Sequence, residues 1–125
     1  MRALIIDDSR AMRTIISRII TGLGFEVTQA GDGKQGLDTL RALPAQPDIV
    51  LVDWNMPEMT GIEFLRAMRA DATFAGVKVV MVTTEAEMAR VSEALDAGAN
   101  EYVMKPFTPE IMVDKLRMLG LPGLA

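Results

Sequence analysis

The sequence contains no cysteine and no histidine. Without cysteine, structural disulfides, thiolate zinc sites, iron–sulfur clusters and cysteine nucleophiles are excluded. Without histidine the chain has neither the commonest general base nor the commonest metal ligand, and no Ser–His–Asp triad. Long apolar runs are missing too: nothing approaches the ~18 residues of a transmembrane helix. The apolar stretch before Asp7-Asp8 is only Ala3 to Ile6, too short for a secretory signal. There is no basic surplus, because 13 basic residues face 17 acidic ones for a net charge of −4. That argues against nucleic-acid binding and leaves protein partners open. A soluble, cytoplasmic protein is expected, with carboxylate, hydroxyl and amine left to carry its chemistry.

What is present suits one domain. The chain has 125 residues, half of them hydrophobic, and shows no linker, charge block or internal repeat, so residues 1–125 are expected to form a single unit. Short β-branched runs alternate with longer helical patterns. Ala3 to Ile6 reads as a first strand, and Met12, Ile15, Ile16, Ile19, Ile20 and Leu23 form the stripe of an amphipathic helix. Ser9 suits its N-cap, and Gly22 and Gly24 its stop. Phe25 to Ala30 is a second strand, followed by a weaker helix around Leu37, Leu40 and Leu43. Asp48 to Asp53 is a third strand, apolar on both faces as a central parallel strand should be. A loop, Asn55 to Gly61, leads to a helix carrying Ile62, Leu65 and Met68. Val77 to Thr83 is the fourth strand, and a helix with Met88, Val91 and Leu95 runs from it to Gly98. Asn100 to Met104 is the fifth strand, and a last helix spans Pro109 to Leu119. Strands each followed by a helix imply an α/β fold, a five-stranded parallel sheet with helices on both faces.

In such sheets, sites lie outside the carboxyl ends of the strands. There the first strand ends in Asp7-Asp8, the third in Asp53 and the fourth in Thr83-Thr84, while the fifth runs into Lys105. Taken singly, each has a plainer reading: a helix cap, a solvated turn residue, a strand end, a surface charge. Together they bring carboxylates, a hydroxyl and an amine to one edge. Clustered carboxylates repel and are costly to ionise together. A hard divalent cation relieves that cost, and Mg²⁺ accepts one or two carboxylates, waters and phosphate oxygens. A carboxylate beside such a cation, a hydroxyl and a fixed ammonium is suited to receive a phosphoryl group.

The ordered set Asp7-Asp8, Asp53-Trp54-Asn55-Met56-Pro57 with Gly61, then Thr83, Tyr102 and Lys105-Pro106 resembles the receiver domains of two-component response regulators. Among these it is most similar to the single-domain chemotaxis regulators, over essentially the whole chain. The resemblance implies a flavodoxin-like (βα)5 fold with strand order 2-1-3-4-5. It also implies a phosphoacceptor that catalyses its own Mg²⁺-dependent phosphorylation and dephosphorylation, rather than an enzyme with a separate substrate. By resemblance Asp53 is the phosphoacceptor. Asp8, Asp53 and the backbone carbonyl of Asn55 ligate Mg²⁺, with Asp7 acting through water. Lys105 pairs with the phosphoryl oxygens, and the Thr83 hydroxyl bonds to one of them. Tyr102 is the switch aromatic, whose plainer reading is a half-buried strand tyrosine. The Lys105–Pro106 bond is cis in the family, although an X–Pro bond taken on sequence alone is expected trans. The phosphodonor is a phosphohistidine on a separate histidine kinase. The face of the fourth helix, fifth strand and fifth helix reads the change out to a target, such as a flagellar motor switch, and a phosphatase is a further partner.

Asn55 and Glu85, each two residues past a site residue, match the chemotaxis regulators and would modulate phosphate turnover at the pocket mouth. Ordinary loop polarity is the plainer account. Thr84 departs from the small residue common there and is expected to narrow access to Asp53. The run Glu85-Ala86-Glu87-Met88 is more acidic than in those regulators. Most of the ten methionines are expected to fill core gaps rather than mark a binding surface.

Other functions fit the residues less well. An aspartyl-phosphate phosphatase or mutase places a second Asp two residues after its nucleophile, where this chain has Asn55. A flavodoxin would carry a Ser/Thr/Gly phosphate loop after the first strand, where Asp7-Asp8 would repel phosphate. A phosphorelay shuttle and a receiver from a larger regulator remain alternatives. The tail Leu121-Pro122-Gly123-Leu124-Ala125 is too short to hold an output domain.

Overall fold

The computed structural model describes residues 1–121, without the side chain of Glu85. The tail Pro122-Gly123-Leu124-Ala125, on which the expectation about an output domain rests, lies outside the described residues. Strands β1 (Arg2–Ile6), β2 (Glu26–Ala30), β3 (Ile49–Asp53), β4 (Lys78–Thr83) and β5 (Glu101–Met104) alternate with helices. The helices are α1 (Arg10–Gly22), α2 (Gly33–Ala42), α3 (Gly61–Arg69), α4 (Val91–Asp96) and α5 (Pro109–Arg117). The strands form one sheet in the order β2-β1-β3-β4-β5, and every pairing is parallel. This is the expected α/β fold and strand order.

The pleat divides the core in two. Ala3, Ile5, Ile49, Leu51, Val80, Val82 and Val103 face α1 and α5, where Ile16, Ile20, Met112 and Leu116 close over them. Leu4, Ile6, Val50, Val52, Val79 and Met81 face the other layer, packed with Leu37 and Leu40 of α2, Phe64 and Leu65 of α3 and Ala94 of α4. Strand β3 is buried along its whole length, as its apolar sequence requires.

Local chemistry sets the helix ends. Ser9 caps α1 by accepting from Met12 N–H, and Gly24, at φ +96°, turns the chain out of it. Thr60 and Glu63 form a reciprocal capping box on α3. Thr108 caps α5, with Pro109 in its first turn. Arg69 closes α3 by donating to the carbonyls of Phe74, Val77 and Gly98 and to Asn100 Oδ1, at 2.7–3.1 Å. It thereby ties down the amino ends of β4 and β5.

One helix differs from expectation. The segment after β4 begins as a 3₁₀ helix, Glu85–Arg90, and only Val91–Asp96 is α-helical. A 3₁₀ turn has three residues, so the inward line runs from half-buried Met88 to buried Val91 and Ala94. Leu95 turns outward at 44 % exposure. The methionines are divided: Met56, Met68, Met81 and Met112 are core, whereas Met104 and Met118 are exposed.

Candidate functional site: an acidic pocket at the carboxyl edge

The same alternation that builds the α1/α5-facing core also builds the site. Asp7 continues the row Ala3–Ile5, Asp53 the row Ile49–Leu51, and Lys105 follows Val103 by two. Where the strands end, these rows change from apolar to charged. Asp7 is 1 % exposed and Asp53 is 6 % exposed, while Asp8 lies exposed at the rim. One carboxylate oxygen from each of Asp7, Asp8 and Asp53 lies within 4.8 Å of the others. Lys105 Nζ sits between two of them, 3.3 Å from Asp7 Oδ2 and 3.2 Å from Asp53 Oδ1.

Two further contacts, from the cap and first turns of α1, hold Asp7. Its Oδ1 accepts from Ser9 N–H at 2.8 Å, and its carbonyl accepts from the Arg13 guanidinium at 2.6 Å. The loop after β3 folds back on itself, with Gly61 N–H donating to the Trp54 carbonyl at 2.8 Å. A Cβ on Gly61 would collide with the Asp53 carbonyl oxygen and would come within 3.0 Å of Trp54 Cα, so only glycine permits this approach. Asn55 is exposed on that loop. The Lys105–Pro106 peptide bond is cis, the isomer implied by the family resemblance.

Burial pushes the Asp53 carboxyl up from 3.8 to about 6. The nearby Asp7 charge adds to the rise, Lys105 opposes it, and Asp8 adds a little more. Burial works to lower the Lys105 pKa, but attraction to Asp53 and Asp7 outweighs it, so the ammonium is held above its ordinary value. Three acids share a single lysine, and a hard cation would offset the surplus negative charge. All the donors of the cluster are oxygens, and no softer ligand competes, which is the ligand chemistry of Mg²⁺.

Thr83 and Tyr102 belong to the opposite side of the sheet. Thr83 continues the Val79–Met81 row and is buried, and its Oγ1 donates to Met88 Sδ at 3.8 Å. Tyr102 is half-buried against the same layer, with the Lys115 ammonium 4.4 Å from its ring centroid. Trp54 is buried on this side too, under the Arg90 guanidinium at 5.1 Å. Thr84 is exposed, and its N–H donates to Glu87 Oε2. The side chain of Glu85 lies outside the described residues.

Thus Asp7, Asp8, Asp53 and Lys105 converge, while Thr83 and Tyr102 approach from the far face. Sequence reading missed Arg13, Arg69 and Met88. For Arg13 a signal existed: it lies one turn past the Ser9 cap, on the side of α1 that returns toward β1.

The family model for the response regulator receiver domain matches residues 3–117. The chain is 43% identical to the chemotaxis protein CheY of Pseudomonas aeruginosa over 120 residues, covering 95% of each. It is 40% identical to the chemotaxis protein CheY1 of Helicobacter pylori, covering 95% of this chain and 96% of that protein. Among solved structures, the chemotaxis response regulator CheY4 of Vibrio cholerae superposes with a TM-score of 0.86 at 33% identity, over 94% of this chain and 97% of that one.

Proposed function

The chain belongs to the response regulator receiver domain family, and from that premise we propose that residues 1–125 act as one phosphorylation-operated switch with Asp53 as phosphoacceptor. The observation that carries the reading is the convergence at the carboxyl edge of the sheet: three acids within 4.8 Å, two of them bridged by Lys105.

In this reading an Asp53 carboxylate oxygen attacks the phosphorus of a kinase phosphohistidine. The P–N bond breaks as the P–O bond forms, and the imidazole departs with the electron pair and takes up a proton. Asp8, Asp53 and the Asn55 carbonyl would hold Mg²⁺, with Asp7 contributing through water. The ion supplies charge neutralisation for the phosphoryl oxygens. Lys105 stays beside the acceptor and pairs with a phosphoryl oxygen, a task for a compact point charge. Thr83 donates its hydroxyl to another oxygen, and Tyr102 moves into the space that Thr83 leaves. The face of α4, β5 and α5 then presents an altered surface to a target. Asn55 and Glu85 flank the entrance and tune phosphate loss.

Because the relatives are named chemotaxis proteins, chemotaxis is the favoured setting, with a kinase as donor, a motor-switch protein as target and a phosphatase as terminator. Among the described residues no helix is long and apolar enough to cross a membrane, which suits a cytoplasmic signal carrier. Phosphorelay shuttling shares every step up to Asp53 and differs in the onward acceptor. Intact-mass spectrometry after incubation with acetyl phosphate and Mg²⁺ tests the central step. One phosphoryl group on the wild type and none on Asp53→Asn supports the reading, and labelling of the variant overturns it.

A further inference from the structure

The Thr83 hydroxyl has a partner that phosphoryl chemistry does not call for. Thr83 closes β4, is 1 % exposed, and donates to the thioether of Met88 at 3.8 Å. Met88 lies in the 3₁₀ segment Glu85–Arg90. That segment is fastened at both ends. The Thr84 N–H donates to Glu87 Oε2 at its start, and at its finish Arg90 covers the Trp54 ring and pairs with Glu93. The backbone that carries the thioether is therefore fastened on both sides of Met88.

We propose that Met88 is a positioning residue for Thr83: its sulfur holds the hydroxyl on the α4 side of the sheet, away from Asp53, and so sets how readily phosphorylation turns the switch. The proposal rests on the phosphoacceptor reading of Asp53 and assigns the resting state of the same site. A buried hydroxyl needs an acceptor. Thioether sulfur is a weak one, whereas an anionic phosphoryl oxygen is strong. Thr83 is thus satisfied at rest yet gains by changing partners. An alkyl side chain at position 88 would leave the hydroxyl unpaired at rest and favour the turned state. A carbonyl there would hold it harder.

The test uses beryllofluoride with Mg²⁺ as a phosphoryl mimic, titrated against the full chain and read by Trp54 fluorescence. Met88→Leu preserves volume and removes the acceptor, so it should bind the mimic roughly two- to fivefold more tightly than wild type. Met88→Gln should bind less tightly than Met88→Leu. In a Thr83→Ala background, adding Met88→Leu should make no further difference, as a double-mutant cycle demands of a direct pair. A general packing role would instead carry the same change into that background. An unchanged affinity in Met88→Leu, or an equal gain with and without the Thr83 hydroxyl, overturns the proposal while leaving Asp53 as acceptor. A wild type that gives no response to the mimic overturns both.

Discussion

Lys105 Nζ lies 3.2 Å from Asp53 Oδ1, although the two residues stand 52 positions apart in the chain. Strands β3 and β5 deliver them from either side of β4, and each follows a buried apolar residue two positions earlier on the same face, Leu51 and Val103. Opposed influences act on the Asp53 carboxyl: burial and Asp7 raise its pKa and Lys105 lowers it, with the rise prevailing.

Asp53→Asn should take no phosphoryl group and keep its fold. It should also melt higher than wild type in metal-free buffer at pH 8, because it removes a charge that burial and Asp7 disfavour. The expected gain is on the order of 1 kcal/mol, roughly 4 °C, read by circular dichroism. A lower melting temperature would mean that the Lys105 attraction outweighs the burial cost.

Mg²⁺ should bind without phosphate and change Trp54 fluorescence, since the only tryptophan adjoins Asp53. Asp8→Ala should weaken that response by about tenfold or more. An identical titration in the variant would remove Asp8 from the metal site.

The same titration should depend on pH with a definite sign. Mg²⁺ binds the ionised carboxylate, and the Asp53 carboxyl titrates at about 6. Affinity should therefore be flat above pH 7 and fall by up to about tenfold per unit below pH 6, as one proton competes. Without metal the carboxyl pKa is raised on folding, from 3.8 to about 6. Its contribution to stability is then full below pH 4 and is lost as the pH rises through 6. Thermal melts from pH 4 to 8 with EDTA and with Mg²⁺ should diverge as the pH rises.

Thr83→Ala should still accept phosphate and should blunt the switch without abolishing it, because one neutral hydrogen bond is worth only ~0.5–1.5 kcal/mol, against the ~5.5 kcal/mol needed to invert a 1:99 population. NMR of β5 with beryllofluoride and Mg²⁺ reads this directly. Equal shifts at Tyr102 in wild type and variant would take Thr83 out of the transmission path. Lys105→Arg should accept phosphate and signal weakly, since a planar fork cannot reproduce the point charge.

The alternation of strands and helices, the three site acids and their lysine were legible because all follow from position along the chain: apolar run, then charge, repeated at successive strand ends, whereas the strand order came only from the family resemblance. The cap at Ser9, the start of the last helix at Pro109 and the stop at Gly24 were legible for the same local reason. The 3₁₀ start of the segment after β4 was not, since Met88 and Val91 fit a three-residue period as well as a 3.6-residue one over so short a stretch. The outward turn of Leu95 follows from that ambiguity. Arg69 and Met88 were illegible for another reason. Their partners, the Gly98 carbonyl and the Thr83 hydroxyl, are chosen by tertiary packing, and nothing in an arginine or a methionine announces which distant group it will meet.

The close approach at Gly61 makes that position indifferent to chemistry. The obstacle is the first carbon of any side chain, which would collide with the Asp53 carbonyl oxygen, so alanine should do as badly as tryptophan or aspartate. In a saturation library selected for signalling, position 61 should appear as a column of uniform loss. Gly76, with nothing within 4 Å of its virtual Cβ, should accept nearly the full alphabet. The contrast separates a residue kept for what it contributes from one kept for what it leaves out.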